Sequence, residues 1–218
     1  MPRVAEIAVA DAPELWRSVG FSVDGASCRV GAVDVRLGAR DGLGLVGWSL
    51  SGLASLELDG LPTIDWPDGS APPAGEHPNG VVAIDHVVVL SPRLNRTIAA
   101  LEAAGLDLRR VREEPTPGGA ARQAFFRAGQ LVIEVIEQPR PDGTPVEPDR
   151  PAKLWGLAFE VTSLDRCASY LGERLGTPRD AVQQGRRIAT LRRSANLGVP
   201  VAFITPKPPR SERPAAPT

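Results

Sequence analysis

A chain of 218 residues can bury a sizeable core as one large domain or two small ones, and 42% hydrophobic with 23% charged content is ordinary for a soluble globular protein. A formal net charge of -1 argues against nucleic acid or an anionic membrane surface as partner, and no apolar run approaches the roughly 18 residues that span a bilayer. Two cysteines, Cys28 and Cys167, lack CxxC spacing, so neither a disulfide framework nor a thiolate zinc site is expected. The N-terminus, MPRVAEIAVADAPELW, has no apolar core of secretion-signal length, and the expected address is the cytoplasm.

The first segment, residues 1–57, reads as a degenerate strand–helix–strands unit. VAEIAVA is a strand, Asp11 caps a short helix in DAPELWRSVG, and SCRVGAVDVRLG and GLVGWSLSG supply later strands. Proline and glycine then crowd residues 58–80, which read as a linker with His77 as a solvent-exposed loop residue. A second unit spans 81–137. VVAIDHVVVL is its first strand, Ser91 and Pro92 start a helix whose inner face carries Leu94, Ile98 and Leu101, and Gly105 suits the left-handed position past its end. LDLRRVRE, ARQAFFRA and QLVIEVIE complete it, the last two joined by a tight turn at Ala128-Gly129.

After a Pro-rich stretch at 137–151, residues 152–206 repeat the pattern. LWGLAFEV is a strand, and Thr162 or Ser163 caps a helix bearing Leu164, Leu171 and Leu175 and ended by Gly176. Cys167 on that helix reads as a small buried hydrophobe. RRIATLRR and VPVAFITP are strands, a strand within 178–184 is weakly signalled, and 207–218 reads as a disordered tail. Two units can close on each other, so the odd one over 1–57 either flanks the pair or pairs across a homodimer.

The repeated order strand–helix–three strands, opened by IDHVVV and closed by LVIEVIE, resembles the vicinal oxygen chelate superfamily of glyoxalase I, the extradiol dioxygenases and the bleomycin-resistance proteins. The likeness is clearest over 81–137, extends to LWGLAFEV and GRRIATLR in 152–206, and is faint over 1–57. It implies an α+β fold in which repeated βαβββ modules pair into an open barrel-like curved sheet, helices outside, around a cavity for a small organic molecule. It also implies that metal-using members take ligands from the first and last strands of each module, which places His86 and Glu134 at ligand positions.

Alternation along a strand puts His86 with Ile84, Val88 and Leu90, and Glu134 with Val132 and Ile136. The turn at Ala128-Gly129 sets Gln123 opposite Glu134, so that Gln123, Phe125, Val132 and Glu134 share the cavity face; a slip of one residue would exchange that set. A carboxylate there must meet a cation, accept hydrogen bonds or take up a proton. The other units offer little help: Gly156 falls at the place of His86, and Val201 or Ala202 at that of Glu134. In the first unit Glu6 matches His86, with Gly47 or Trp48 at the place of Glu134, and Glu160 reaches inward only in a different register.

Three readings stay open. His86 and Glu134 hold one divalent ion (Zn, Ni, Fe or Mn), with Glu134 also shuttling a proton; they form a metal-free polar pair in a ligand pocket; or they are a satisfied buried pair without a role. Trp155 either stacks on the substrate or packs in the core, and Arg186 and Arg187 either hold an anion or lie on a solvated edge. The functions that follow are a metal-assisted lyase, isomerase or dioxygenase, or a metal-free, drug-sequestering small-molecule binder.

Overall fold

The computed structural model describes residues 1–39, 42–65, 75–114, 122–137 and 149–207. The first half runs β1 (Arg3–Val9), α1 (Pro13–Ser18), β2 (Ser27–Val30), β3 (Val33–Arg36), β4 (Leu45–Ser51) and β5 (Thr63–Asp65). The second runs β6 (Val81–Ser91), α2 (Leu94–Ala103), β7 (Asp107–Arg112), β8 (Gln123–Ala128), β9 (Leu131–Glu137), β10 (Lys153–Val161), α3 (Leu164–Leu171), β11 (Arg179–Asp180), β12 (Arg187–Thr190) and β13 (Val201–Ile204).

Two open sheets result. The first has the order β2-β3-β1-β4-β5 and the second β11-β12-β13-β10-β6-β9-β8-β7. Both are curved α+β sheets with helices outside. One face of β6, β8 and β9 is mostly apolar: Val87, Val89, Phe126, Ile133 and Val135 are fully buried, with Leu94 and Leu101 of α2 in the same core. Helix α3 is capped as its sequence predicts, Ser163 Oγ accepting from Arg166 N at 3.3 Å, and buries Leu164, Cys167 and Leu171. The halves are clamped by aromatic packing. Trp16 of α1 meets Phe159 of β10 edge-on at 6.0 Å, and Phe21 lies 5.0 Å from the same ring. Residues 1–57 thus flank the second sheet.

The pairing reveals a repeat finer than three units. In the second sheet, β6 and β10 run antiparallel at the centre, β9 is parallel to β6, and β13 is parallel to β10. In the first, β1 and β4 run antiparallel, β3 is parallel to β1, and β5 is parallel to β4. All four central strands carry an extra residue at matching places, Ala5, Val46, Asp85 and Trp155, and β6 carries a further one at Val82. Even a proline–glycine contact recurs. Trp48 N donates to Pro62 O at 3.1 Å and Leu157 N to Pro200 O at 3.0 Å, while a Cβ on Gly47 or Gly156 would lie 3.3 or 2.9 Å from those same carbonyls.

Residues 1–65 are therefore a trimmed duplicate of the second sheet, and β4 opens a fourth unit rather than closing the first. The β5 strand falls inside the stretch that composition marks as linker, because Thr63, Ile64 and Asp65 find a free edge on β4. The position matching Glu134 in the first unit is then Arg36, not Gly47 or Trp48, because Ala8 pairs with Arg36 as Val88 pairs with Glu134.

Four local expectations fail for identifiable reasons. Helix α2 starts two residues beyond Pro92, since Ser91 Oγ bonds Thr97 Oγ1 (2.6 Å) and accepts from Arg93 N (3.1 Å) instead of capping. Asp11 does not cap α1; it accepts from Trp16 Nε1 (3.3 Å) and Gly198 N (2.8 Å), tying the two halves. Helix α3 ends at Gly172, with φ +57°, before Gly176 is reached. His77 is buried rather than exposed: Ser22 N donates to its Nδ1 (3.0 Å) and its Nε2 donates to Arg29 O (3.1 Å). Burial lowers its pKa, against the Arg29 hydrogen bond, so the ring is held neutral. Replacing His77 with alanine strands both backbone partners and is expected to lower stability by about 2 kcal/mol, measurable by urea unfolding.

Residues 138–148 and 208–218, with 66–74 of the first linker and 115–121 of the β7–β8 connection, lie outside the described residues.

Candidate functional site

The site is built on the inner face of β6, β9 and β8. The hairpin is displaced by two residues from its expected register, Ala128 pairing with Leu131 and Phe125, rather than Gln123, pairing with Glu134. An even displacement keeps every side chain on its face. Gln123, Phe125, Val132 and Glu134 therefore stay together, and Gln123 Nε2 reaches diagonally to donate to Glu134 Oε1 at 2.5 Å. In the parallel pair, His86 lies beside Val132 and Val88 beside Glu134. His86 Nε2 comes to 3.3 Å from Glu134 Oε2, and both side chains are 15% exposed.

Alternation alone does not foresee the other end of the imidazole. The bulge at Asp85 brings that carboxylate to the same side of the strand, where Oδ2 lies 2.8 Å from His86 Nδ1. Ile84 is thereby displaced from the face of His86 expected for it. Asp85 is in turn held by Arg186, whose Nη1 lies 2.8 Å from Oδ1. Arg186 is 2% exposed, which overturns its reading as a solvated edge residue. Its Nε donates to Thr205 O at 2.7 Å, its Nη1 to Gln183 Oε1 at 2.7 Å, and its Nη2 lies 3.5 Å from Glu160 Oε2. Glu160, paired with Ala83 across the bulged register, does reach inward. Arg187 by contrast stays at the surface on Asp165.

Two carboxylates thus flank one imidazole in opposite conditions. Burial works against the charge on Asp85, but the hydrogen bond and charge of His86, joined by Arg186, outweigh it and hold the group at about 2. Burial dominates at Glu134 and raises its pKa, with His86 opposing and Asp85 adding to the rise. Asp85 is the ionised partner at neutral pH and favours the Nδ1–H tautomer; Glu134 is the group that more readily holds a proton. Cys28 and Cys167 are buried free thiols pushed up to about 12, and neither belongs to the site.

Trp155 is the extra residue of the β10 bulge and is 42% exposed, so it is a surface aromatic and not a core one. A hollow of about 610 Å³ lies against the first sheet and touches β6 at Ala83 and Ile84.

No protein-family model and no curated protein matches the sequence. Solved structures do resemble it. A xylose isomerase-like TIM barrel/4-hydroxyphenylpyruvate dioxygenase fusion protein aligns with a TM-score of 0.65 at 12% identity over 98% of this chain and 50% of that longer one. Methylmalonyl-CoA epimerase from Mycobacterium tuberculosis aligns at 0.48 and 23% identity over 59% of this chain and 91% of its own. The fold is the vicinal oxygen chelate fold.

In that fold the metal positions can be tested residue by residue. Matching the bulges makes Gly156 the counterpart of His86, and the strand pairing makes Ala202 that of Glu134; neither side chain can bind an ion. Asp85 cannot serve as a third ligand, because it and Glu134 lie at opposite nitrogens of the ring. No cluster of three His, Cys, Asp or Glu suited to a metal exists among the described residues. Two donors fall short of the three protein ligands usual for a catalytic zinc, so this site does not fit a resident ion of that kind. Among the described residues no helix is long and apolar enough to cross a membrane.

Proposed function

We propose that the chain is an enzyme of the isomerase or lyase kind that moves a proton at a carbon next to a carbonyl of a small organic molecule, without a resident metal. The observation that carries this is the line Asp85–His86–Glu134, with 2.8 Å and 3.3 Å separations and its outer end partly open. Glu134 takes the proton from carbon and returns it; His86 Nε2 shares that proton, and Asp85 holds the ring still. Gln123 fixes the other carboxyl oxygen. The half-buried side chains of Phe125, Val132 and Ile136 form an apolar floor, and Trp155 at the surface offers a ring for substrate to stack on.

A second reading, binding without chemistry, is favoured by the bare Gly156 and Ala202 positions. Exchange of substrate hydrogen for deuterium across a panel of 2-keto acids and β-dicarbonyl compounds separates the two. Exchange that falls about a hundredfold or more in Glu134→Gln and resists chelator is the expected result. Saturable binding with no exchange would favour the binder, and exchange lost with a metal that His86→Ala also loses would restore the metal reading.

A further inference from the structure

The hollow of about 610 Å³ lies between the turn joining β2 to β3 and the turn joining β8 to β9, so both halves of the chain build it. We propose that it is a second binding site, specific for a small carboxylate with an apolar body. Its place in the fold is the first argument. Glu6 follows the bulged Ala5 as His86 follows Asp85, and Arg36 stands where Glu134 does, so the hollow covers the duplicate of the candidate site. There the imidazole–carboxyl couple is replaced by an ion pair, with Arg36 Nε 3.0 Å from Glu6 Oε2. Such a pair holds charge in place and suits binding better than turnover.

The charge on the walls is the second argument. Arg3, Arg29 and Arg36 line the hollow together with Glu6 and Asp34. Glu6 is engaged by Arg36, and Asp34 accepts from Ser27 Oγ. Arg29 pairs with Asp34 across β2 and β3 but forms no ion pair among the described residues. Its backbone is pinned from behind by the buried His77, whose Nε2 donates to Arg29 O at 3.1 Å. A guanidinium on a fixed strand beside a cavity matches a carboxylate, which can take two of its N–H groups at once. Val33, Ala83 and Leu131 supply apolar wall, and the volume is within the range of small-molecule sites.

The rim is rigid. Gly31 and Gly129 hold the two turns at φ +58° and +67°, and a Cβ on Gly129 would come within 3.1 Å of Arg3 Cβ.

Titration of the full chain with naphthoate, followed by backbone amide NMR, tests the proposal. Saturable shifts are expected at Arg29–Ala32 and at Gly129–Leu131, with naphthalene methanol, the neutral analogue, binding at least tenfold more weakly. Arg29→Ala is expected to weaken naphthoate about tenfold, the effect of one charge-assisted hydrogen bond. Arg29 is only partly buried, so this variant keeps the fold, and Ala83→Trp, which fills the hollow from the other half, is expected to abolish the shifts. Absence of saturable shifts, shifts centred on His86 and Glu134 instead, equal affinity for the neutral analogue, or indifference to Arg29→Ala would each overturn it.

Discussion

Replacing Arg186 with methionine is expected to destabilise the protein by about 3–5 kcal/mol, the cost of leaving a buried carboxylate without its cation. Asp85 is 3% exposed at its side chain, and Arg186 Nη1 is its close charged neighbour at 2.8 Å. Lys207 Nζ is 3.9 Å away on a side chain that is 54% exposed and compensates only weakly. Thr205 O and Gln183 Oε1 also lose their donor. The urea midpoint should fall with little change in slope, because the surface exposed on unfolding hardly alters. A double variant, Asp85→Leu with Arg186→Met, removes both charges and should recover most of the loss. If the single variant costs less than about 1 kcal/mol, Arg186 is not an essential counter-charge of Asp85 and His86 alone holds it.

The second effect of that variant falls on His86. Without Arg186 the Asp85 carboxylate is held less firmly against His86 Nδ1, so deuterium exchange should fall in the folded fraction as well. Arg186 is a positioning residue, acting through Asp85 and His86 without touching substrate. It comes from the fourth unit, whose own counterparts of the polar pair are Gly156 and Ala202. That unit thus contributes to the candidate site by a route other than the positions the family pattern singles out.

How far these relations could be seen in sequence depends on which interaction sets them. His86, Glu134, Gln123 and Phe125 share a face because alternation with period two survives any even displacement in register, and the hairpin is displaced by two residues. Asp85 could not be found that way. A bulge breaks alternation, and nothing in IDHVVV marks the extra residue until the partner strand is known. Arg186 stands in a Gln- and Arg-rich stretch with a solvent-exposed composition, and only the fold brings it under Asp85. His77 looked like a loop residue because proline and glycine surround it; its two backbone partners are 48 and 55 residues away in sequence. The strand β4 was expected to close the first unit. Whether a strand pairs parallel or antiparallel is decided by the chain's path, not its composition, so the fourth unit emerged only with the pairing.

Acid unfolding should carry the signature of Asp85 and, with opposite sign, that of Glu134. The ordinary aspartate value is 3.8 and Asp85 sits at about 2, a gap worth about 2 kcal/mol at neutral pH. Because the folded value is the lower one, that contribution is fully present above pH 3.8 and is lost as pH falls through about 2. Glu134 is raised in the folded state, chiefly by burial, so its contribution is complete below its unfolded value of 4.5 and drains away as pH rises through the folded one. Stability measured by urea midpoint between pH 2 and 8 should therefore differ between wild type and two variants in opposite ways. Against Arg186→Met, the wild-type advantage should shrink as pH falls from 4 to 2, because the carboxylate that Arg186 stabilises becomes neutral in both proteins. Against Glu134→Gln, wild type should lose ground as pH rises above 5, since the amide occupies the same place without a charge to bury. Equal pH slopes in wild type and Glu134→Gln would mean that Glu134 is solvated as an ordinary surface carboxylate, and it could not then be the proton carrier.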